Sequence, residues 1–237
     1  MSYYDFHVHS AFSEGESTPE EMANRAKILG YKGMCFVVYY KGKENLEKIR
    51  KEIEDVSKRT KLEIFLGIEA RNIHELNKLA KIRREFDILL ARGHDINFNR
   101  KSVEMPEVDI LTHPEFERKD SGLNHIMIKL AAKNNVAIEI NFREILLSSK
   151  TTRSFILHNI ANNVMLCKKY KTPIIICSGA ISHWQLKDPS ILQSMGCLFE
   201  LELNEAKKSL TEIPSRIIEA VKEKRSRKWI MPGVKEI

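Results

Sequence analysis

Short runs of β-branched and aromatic residues alternate with amphipathic helical segments along most of the chain, and this alternation constrains the fold more than any other feature. The runs Tyr3–Val8, Gly33–Tyr40, Leu62–Ile68, Phe86–Ala91, Val108–Thr112, Val136–Phe142 and Pro173–Ser178 read as strands. They are too apolar for strict alternation, as strands covered by helices on both faces are. Between the first two runs, Thr18-Pro19-Glu20-Glu21 offers an N-cap, a proline at the first helical position and a capping-box glutamate, and Gly30 closes that helix. Leu46, Ile49, Ile53 and Val56 recur at helical spacing, as do Leu123, Ile126, Met127, Leu130 and Ala131, and Ile156, Ile160, Val164 and Cys167. Strand–helix repetition of this kind builds a parallel sheet. Seven units without a flexible linker favour a single α/β domain over 1–237, a TIM-like barrel with about seven parallel strands. Beyond about residue 188 the strand signal fades. Extra C-terminal helices are expected there, with Ile213, Ile217, Ala220 and Val221 as the last apolar face and a basic tail over 222–237.

Composition narrows the class. With 39 Lys and Arg against 32 Asp and Glu in 237 residues, the net charge is +7, and 43% hydrophobic with 30% charged residues is a globular balance. The excess suits a polyanionic partner without naming one. The N-terminus has neither the basic nor the apolar region of a signal peptide, and no apolar run approaches the roughly 18 residues of a membrane span. The four cysteines show no CxxC spacing, and Cys35 and Cys177 sit in strand-like runs as reduced, buried thiols would. A cytoplasmic protein without membrane contact is expected.

Parallel barrels gather chemistry at the carboxyl ends of their strands. His7 and His9, at i and i+2, project from one face of the first strand. Glu69, His94 and His113 close three further strands. Five imidazole and carboxylate groups at one rim form a metal-type constellation suited to zinc, manganese or iron. Each residue alone reads more readily as a hydrogen-bonded structural group, and only the five together bring the metal reading level with it. Glu139, Asn141 and Arg143, polar residues ending an apolar strand, form a candidate phosphate pocket.

The stretch His7-Val8-His9-Ser10-Ala11-Phe12-Ser13-Glu14-Gly15 resembles the opening of polymerase-and-histidinol-phosphatase (PHP) barrel phosphoesterases, and the family's further Glu and His ligands would fall on Glu69, His94 and His113. The departures bear on the chemistry. Where that family ends its second strand in Thr-Asp-His, this chain has Val38-Tyr39-Tyr40; where its last strand carries Asp and His, this chain has Gly179 and Ile181. A multinuclear water-activating site needs those ligands, so the centre reads as degenerate, with no metal expected.

A second resemblance is more specific. Ser178-Gly179-Ala180 followed by Ser182-His183-Trp184-Gln185-Leu186-Lys187-Asp188-Pro189 is similar to a hallmark segment of archaeal ribonuclease P protein component 3, a family of PHP-type barrels. Ile138–Leu146, Tyr170–Ile176, Asp87–Leu90 and Asp109–Leu111 resemble that family in the same order. The resemblance implies a protein without catalysis of its own that joins component 2 and supports ribonuclease P RNA. In the holoenzyme that RNA, with magnesium, removes the 5′ leader of precursor tRNA. It implies no cofactor bound by this chain, and partners comprising the RNA, precursor tRNA, component 2 and the other holoenzyme proteins. A metal-dependent PHP-type phosphoesterase is the alternative.

Basic residues offer the RNA contacts. Arg92, Arg100 and Lys101 follow the fourth strand, and Arg143, Lys150 and Arg153 follow the sixth, on loops that share a rim. Lys222, Lys224, Arg225, Arg227 and Lys228 crowd the end of the last helix, with Trp229 behind them. Phosphate contact is one reading; solvated loop charge, or cations complementing a helix C-terminus, is the other. No RNA-recognition-motif signature, KH loop or zinc knuckle is present, so shape and phosphate rather than base sequence would be read.

Overall fold

The computed structural model describes residues 2–225, 229–231 and 234–235. In chain order the elements are β1 (Tyr3–Val8), α1 (Pro19–Ile28), β2 (Tyr31–Val38), α2 (Lys43–Thr60), β3 (Glu63–Ala70), α3 (Ile73–Lys81), β4 (Ile88–Arg92), α4 (Ile96–Glu104), β5 (Ile110–Thr112) and α5 (His125–Asn134). They continue with β6 (Ala137–Asn141), α6 (Phe142–Leu147), α7 (Lys150–Tyr170), β7 (Ile174–Cys177), α8 (Pro189–Leu198), α9 (Leu203–Lys208) and α10 (Glu212–Arg225). A hairpin of β8 (Trp229–Met231) and β9 (Val234–Lys235) follows.

Strands β1 to β7 form one seven-stranded sheet in sequence order with every pairing parallel, so the α/β barrel expected from the sequence is present. The β7–β1 seam is joined by single hydrogen bonds rather than a ladder. Ser178 N donates to Asp5 Oδ1 at 3.1 Å, and His9 N donates to Ala180 O at 2.8 Å. Burial pushes the Asp5 carboxyl up to about 6 despite the Ser178 hydrogen bonds.

Two apolar layers result from strands without a polar face. Phe6, Val37, Leu90 and Ile175 fill the barrel interior, while Val8, Phe36, Leu89 and Ile176 pack outward against the helices. At the amino end of the strands α10 closes the barrel: its Ile217, Ile218 and Val221 join the interior cluster. Charge completes the closure. Lys224 Nζ lies 2.7 Å from Asp109 Oδ1, Arg83 pairs with Asp109, and Arg225 pairs with Asp87. Burial pushes the Asp109 carboxyl up, but the charges of Arg83 and Lys224 outweigh it and hold it below its ordinary value.

Three sequence expectations change. Arg100 and Lys101 stand on α4, which begins within four residues of β4, and α6 starts directly at the end of β6, so Lys150 and Arg153 belong to the first turn of α7. The chain end is not purely helical, because β8 and β9 follow α10. Ile126, assigned to an apolar helix face, is half exposed, and Ile128 takes its place in the core. The α1 cap has both reciprocal capping-box bonds. Cys35, Cys167 and Cys177 are buried free thiols and Cys197 is exposed. No helix among the described residues is long and apolar enough to cross a membrane.

Candidate functional site

The strand ends bring His7, His9, Glu69 and His113 together, and Glu139 on β6 is their hub. His7 Nδ1 lies 2.7 Å from Glu139 Oε1, and His7 Nε2 lies 3.1 Å from His9 Nε2. His113 Nδ1 is 3.9 Å from Glu139 Oε2 and 3.7 Å from Glu144 Oε1. Glu69 Oε1 accepts from Thr112 Oγ1 at 2.9 Å, and its other oxygen is 3.7 Å from the Arg92 guanidinium. His9 Nδ1 sits 3.1 Å from the Val37 carbonyl.

These partners assign the protons. A carbonyl only accepts, so His9 carries its proton on Nδ1 and presents a bare Nε2. His7 Nε2–H donates to that nitrogen while His7 Nδ1–H donates to Glu139, which makes His7 an imidazolium. The electrostatics agree. Burial alone would push His7 down, but Glu139, Glu69 and Asp5 raise it to about 9. Burial also raises Glu139, yet the His7 charge, with the hydrogen bonds from His7 and Asn141, brings it down to about 2. Burial, aided by the His7 charge, pushes His9 down to about 2. In His113 burial outweighs the Glu139 charge and leaves it at about 3. One buried ion pair is therefore flanked by two neutral imidazoles.

Of the sequence-derived constellation only His94 is absent from the site. Strand β4 ends at Arg92, and His94 follows the Gly93 turn with its ring on the surface, Nδ1 3.3 Å from Arg92 O. Arg92 occupies the rim instead, donating to Tyr39 OH at 3.3 Å, while Tyr39 OH donates to Glu14 Oε2 at 3.0 Å. Glu139 and Asn141 are not free to hold a phosphate. Asn141 Nδ2 donates to Glu139 Oε1 at 3.1 Å, and Asn141 Oδ1 accepts from Glu144 N at 3.3 Å as the N-cap of α6. The hub role of Glu139 escapes sequence reading; a carboxylate inside an otherwise apolar strand is the one signal for it.

The residues fit at most a single cation. Donor atoms of His7, His113 and Glu139 lie within 4.8 Å of one another, and the buried His113 Nδ1 and Glu139 Oε2 have no hydrogen-bond partner. Among the described residues no second group of three metal-type ligands comes together. Tyr39 stands where a second-strand ligand would, and the Arg92 charge faces Glu69. Gly179 has φ 64°, and a Cβ there would lie 2.5 Å from Asn141 Oδ1, so an aspartate cannot be accommodated without moving Asn141. With the His7 proton already neutralising Glu139, chelation followed by dialysis is expected to leave the melting temperature unchanged. An ion held at a hundred times its dissociation constant would add about 2.7 kcal/mol, so a clear drop in melting temperature on chelation would show a resident metal.

The basic residues divide into tied and untied groups. Besides its rim contacts, Arg92 stacks 5.2 Å over the Phe116 ring. Arg100 pairs with Glu104 at 2.9 Å, and Arg153 donates to Ile145 O at 3.1 Å, to Leu146 O at 3.3 Å and to Ser148 O, closing the end of α6. Lys224 and Arg225 hold α10 under the barrel. Lys101, Arg143, Lys150 and Lys222 have no ion pair among the described residues. Arg227, Lys228 and the Trp229 side chain lie outside the described residues.

Comparison with known proteins places this barrel in a family. Residues 2–226 match the family described as RNase P subunit p30. The ribonuclease P protein component 3 of Methanosarcina barkeri is 35% identical over 219 residues, covering 91% of this chain and 88% of the relative. That of Methanococcus maripaludis strain C5 is 39% identical over 176 residues, covering 73% and 75%. A chain in a cryo-EM structure of archaeal ribonuclease P with mature tRNA superposes with a TM-score of 0.83 at 27% identity, covering 97% of this chain and 96% of that one. The chain belongs to the RNase P subunit p30 family, among whose relatives are the archaeal ribonuclease P protein components 3.

Proposed function

We propose that this protein is a non-catalytic subunit of ribonuclease P that supports the catalytic RNA, together with component 2, in removing the 5′ leader of precursor tRNA. The observation that carries this reading is its near-complete superposition on a chain of an archaeal ribonuclease P particle. The site supports it from the other side. Gly179 and Tyr39 supply no ligand at two positions that a water-activating metal cluster would need, which supports a reading in which hydrolysis falls to the RNA and its magnesium and this chain brings no cofactor. Its partners are the ribonuclease P RNA, precursor tRNA, component 2 and the other holoenzyme proteins, in the cytoplasm. A PHP-type phosphoesterase is not favoured, because Tyr39 and Gly179 stand where that chemistry would need further ligands.

Incubation of the purified chain with precursor tRNA and with small phosphoesters in manganese or zinc tests this directly. No cleavage is expected; turnover abolished by His7→Ala would overturn the reading in favour of a phosphoesterase.

The untied cations then bind the phosphates. Replacing Arg143 and Lys150 by alanine is expected to weaken binding to the RNA and to lower the slope of log K against log salt. The reduction is about 0.7–0.9 for each phosphate that is no longer neutralised. Lys224→Ala, whose side chain is held by Asp109, is expected to leave that slope unchanged. Filter-binding titrations from low to moderate salt distinguish the two.

A further inference from the structure

The most basic stretches of this chain lie far from its N-terminus. Although Lys and Arg number 39, none occurs before Arg25, while Glu14, Glu16, Glu20 and Glu21 fall inside that segment. Residues 172–186, which include the end of β7 and the run toward α8, also contain no Lys or Arg. The fold joins these two cation-free segments. Glu16 N donates to Ile181 O at 2.6 Å, Ser17 Oγ accepts from His183 N at 3.0 Å, and His183 Nδ1 is 2.7 Å from the same hydroxyl.

On this junction stands Trp184. It is 73% exposed, and its ring centroid is 4.5 Å from that of His183. The turn beneath it is fixed: Ile181 N donates to Gln185 Oε1 at 3.2 Å, and Ala180 and Leu186 on either side are buried. A single exposed apolar residue is ordinary. An indole resting at a 41° tilt against an imidazole that is itself pinned by a buried serine is different, because its ring is already partly held before binding. Tryptophan in such a setting is a favoured interface anchor.

Charge selects the occupant. Glu14 is shared with His9 and Tyr39, Glu20 with Arg59, and Glu21 serves the α1 cap while lying close enough to feel the His183 ring. Glu16 is exposed and has no ion pair among the described residues. Arg59, paired with Glu20, and Lys187, three residues past Trp184, border these segments, but among the described residues Glu16 is left unpaired between them. A protein surface carrying lysines and arginines around an apolar recess is therefore a better match than a nucleic-acid backbone.

We propose that the Trp184 face is a protein-docking surface, and that its occupant is a basic-rimmed, apolar patch on another protein subunit of the particle rather than RNA. This rests on the ribonuclease P reading above.

The test uses the full chain as wild type and as Trp184→Ala, Trp184→Phe and Glu16→Lys. Each is titrated by calorimetry against purified component 2, against each other protein subunit and against the ribonuclease P RNA. Trp184→Ala is expected to weaken binding to one protein subunit by roughly 30-fold, a hot-spot effect of about 2 kcal/mol. Trp184→Phe should fall between it and wild type, and Glu16→Lys should weaken the same complex most at low salt. RNA affinity should change less than twofold. The proposal is overturned if all variants bind every protein subunit as wild type does, or if Trp184→Ala weakens RNA binding instead. A wild-type chain that binds neither the proteins nor the RNA would overturn the ribonuclease P reading itself, a result distinct from both.

Discussion

Asp109→Ala is expected to lower the free energy of unfolding by about 3–5 kcal/mol, the range for removing one partner of a buried ion pair. Asp109 accepts from Arg83, from Lys224 at 2.7 Å and from the Leu89 amide at 2.8 Å. Arg83 is only 2% exposed. Without Asp109 it keeps the carbonyls of Glu107 and Phe86 as acceptors but is deprived of its only counter-charge among the described residues. Lys224 would at the same time release the last turn of α10 from the barrel base. Urea unfolding measures the loss, and a change below about 1 kcal/mol would contradict the role given to this network. Arg225→Ala is the control: its side chain is more than a third exposed, where such pairs contribute about 0–1 kcal/mol.

Glu139→Ala is expected to have an effect of the same order, about 3–5 kcal/mol, with a distinctive pH dependence. His7, raised from 6.5 to about 9, contributes stability that is full below about 6.5 and is lost as pH rises through about 9. Glu139, lowered from 4.5 to about 2, contributes above about 4.5, and its share is lost as pH falls through about 2. The penalty of Glu139→Ala is therefore largest between about pH 4.5 and 6.5 and shrinks toward pH 9. His9 and His113 act on the acid side. Both are depressed well below 6.5, so each adds a slope of about 1.4 kcal/mol per pH unit to acid destabilisation below that pH. Unfolding curves at pH 5.5, 7.5 and 9 test the sign. A Glu139→Ala penalty that does not fall toward alkaline pH would contradict a charged His7.

The strands of the barrel are legible in the sequence because a parallel strand covered on both faces is mostly apolar, and the seven such runs alternate with segments of helical spacing. Their limits are less so. The run Val136–Phe142 merges the strand β6 with the first residue of α6, since nothing in Phe142–Leu147 is buried enough to write a helical pattern and only the Asn141 cap marks the change. The two short strands of the terminal hairpin are too brief for any periodicity.

In the site, His7, His9, Glu69 and His113 are readable as strand-end residues, but the hub is not. The His7–Glu139 pair spans 132 positions, and no local spacing records it. His94 misleads because it lies only two residues past the strand end, where the chain has already turned outward. Arg92, Arg153, Lys224 and Arg225 mislead in the opposite way. Their charge is visible in the sequence, whereas the carboxylates and carbonyls that take it up come from elsewhere in the fold.

The most direct measurement of the central claim is cleavage of precursor tRNA by the cognate ribonuclease P RNA with component 2, with and without this chain, across a series of magnesium concentrations. Cleavage is predicted to rise on addition of the chain, most at limiting magnesium, and to need component 2 for the rise. Equal activity with the chain omitted, at every magnesium concentration, would contradict a role as a ribonuclease P subunit.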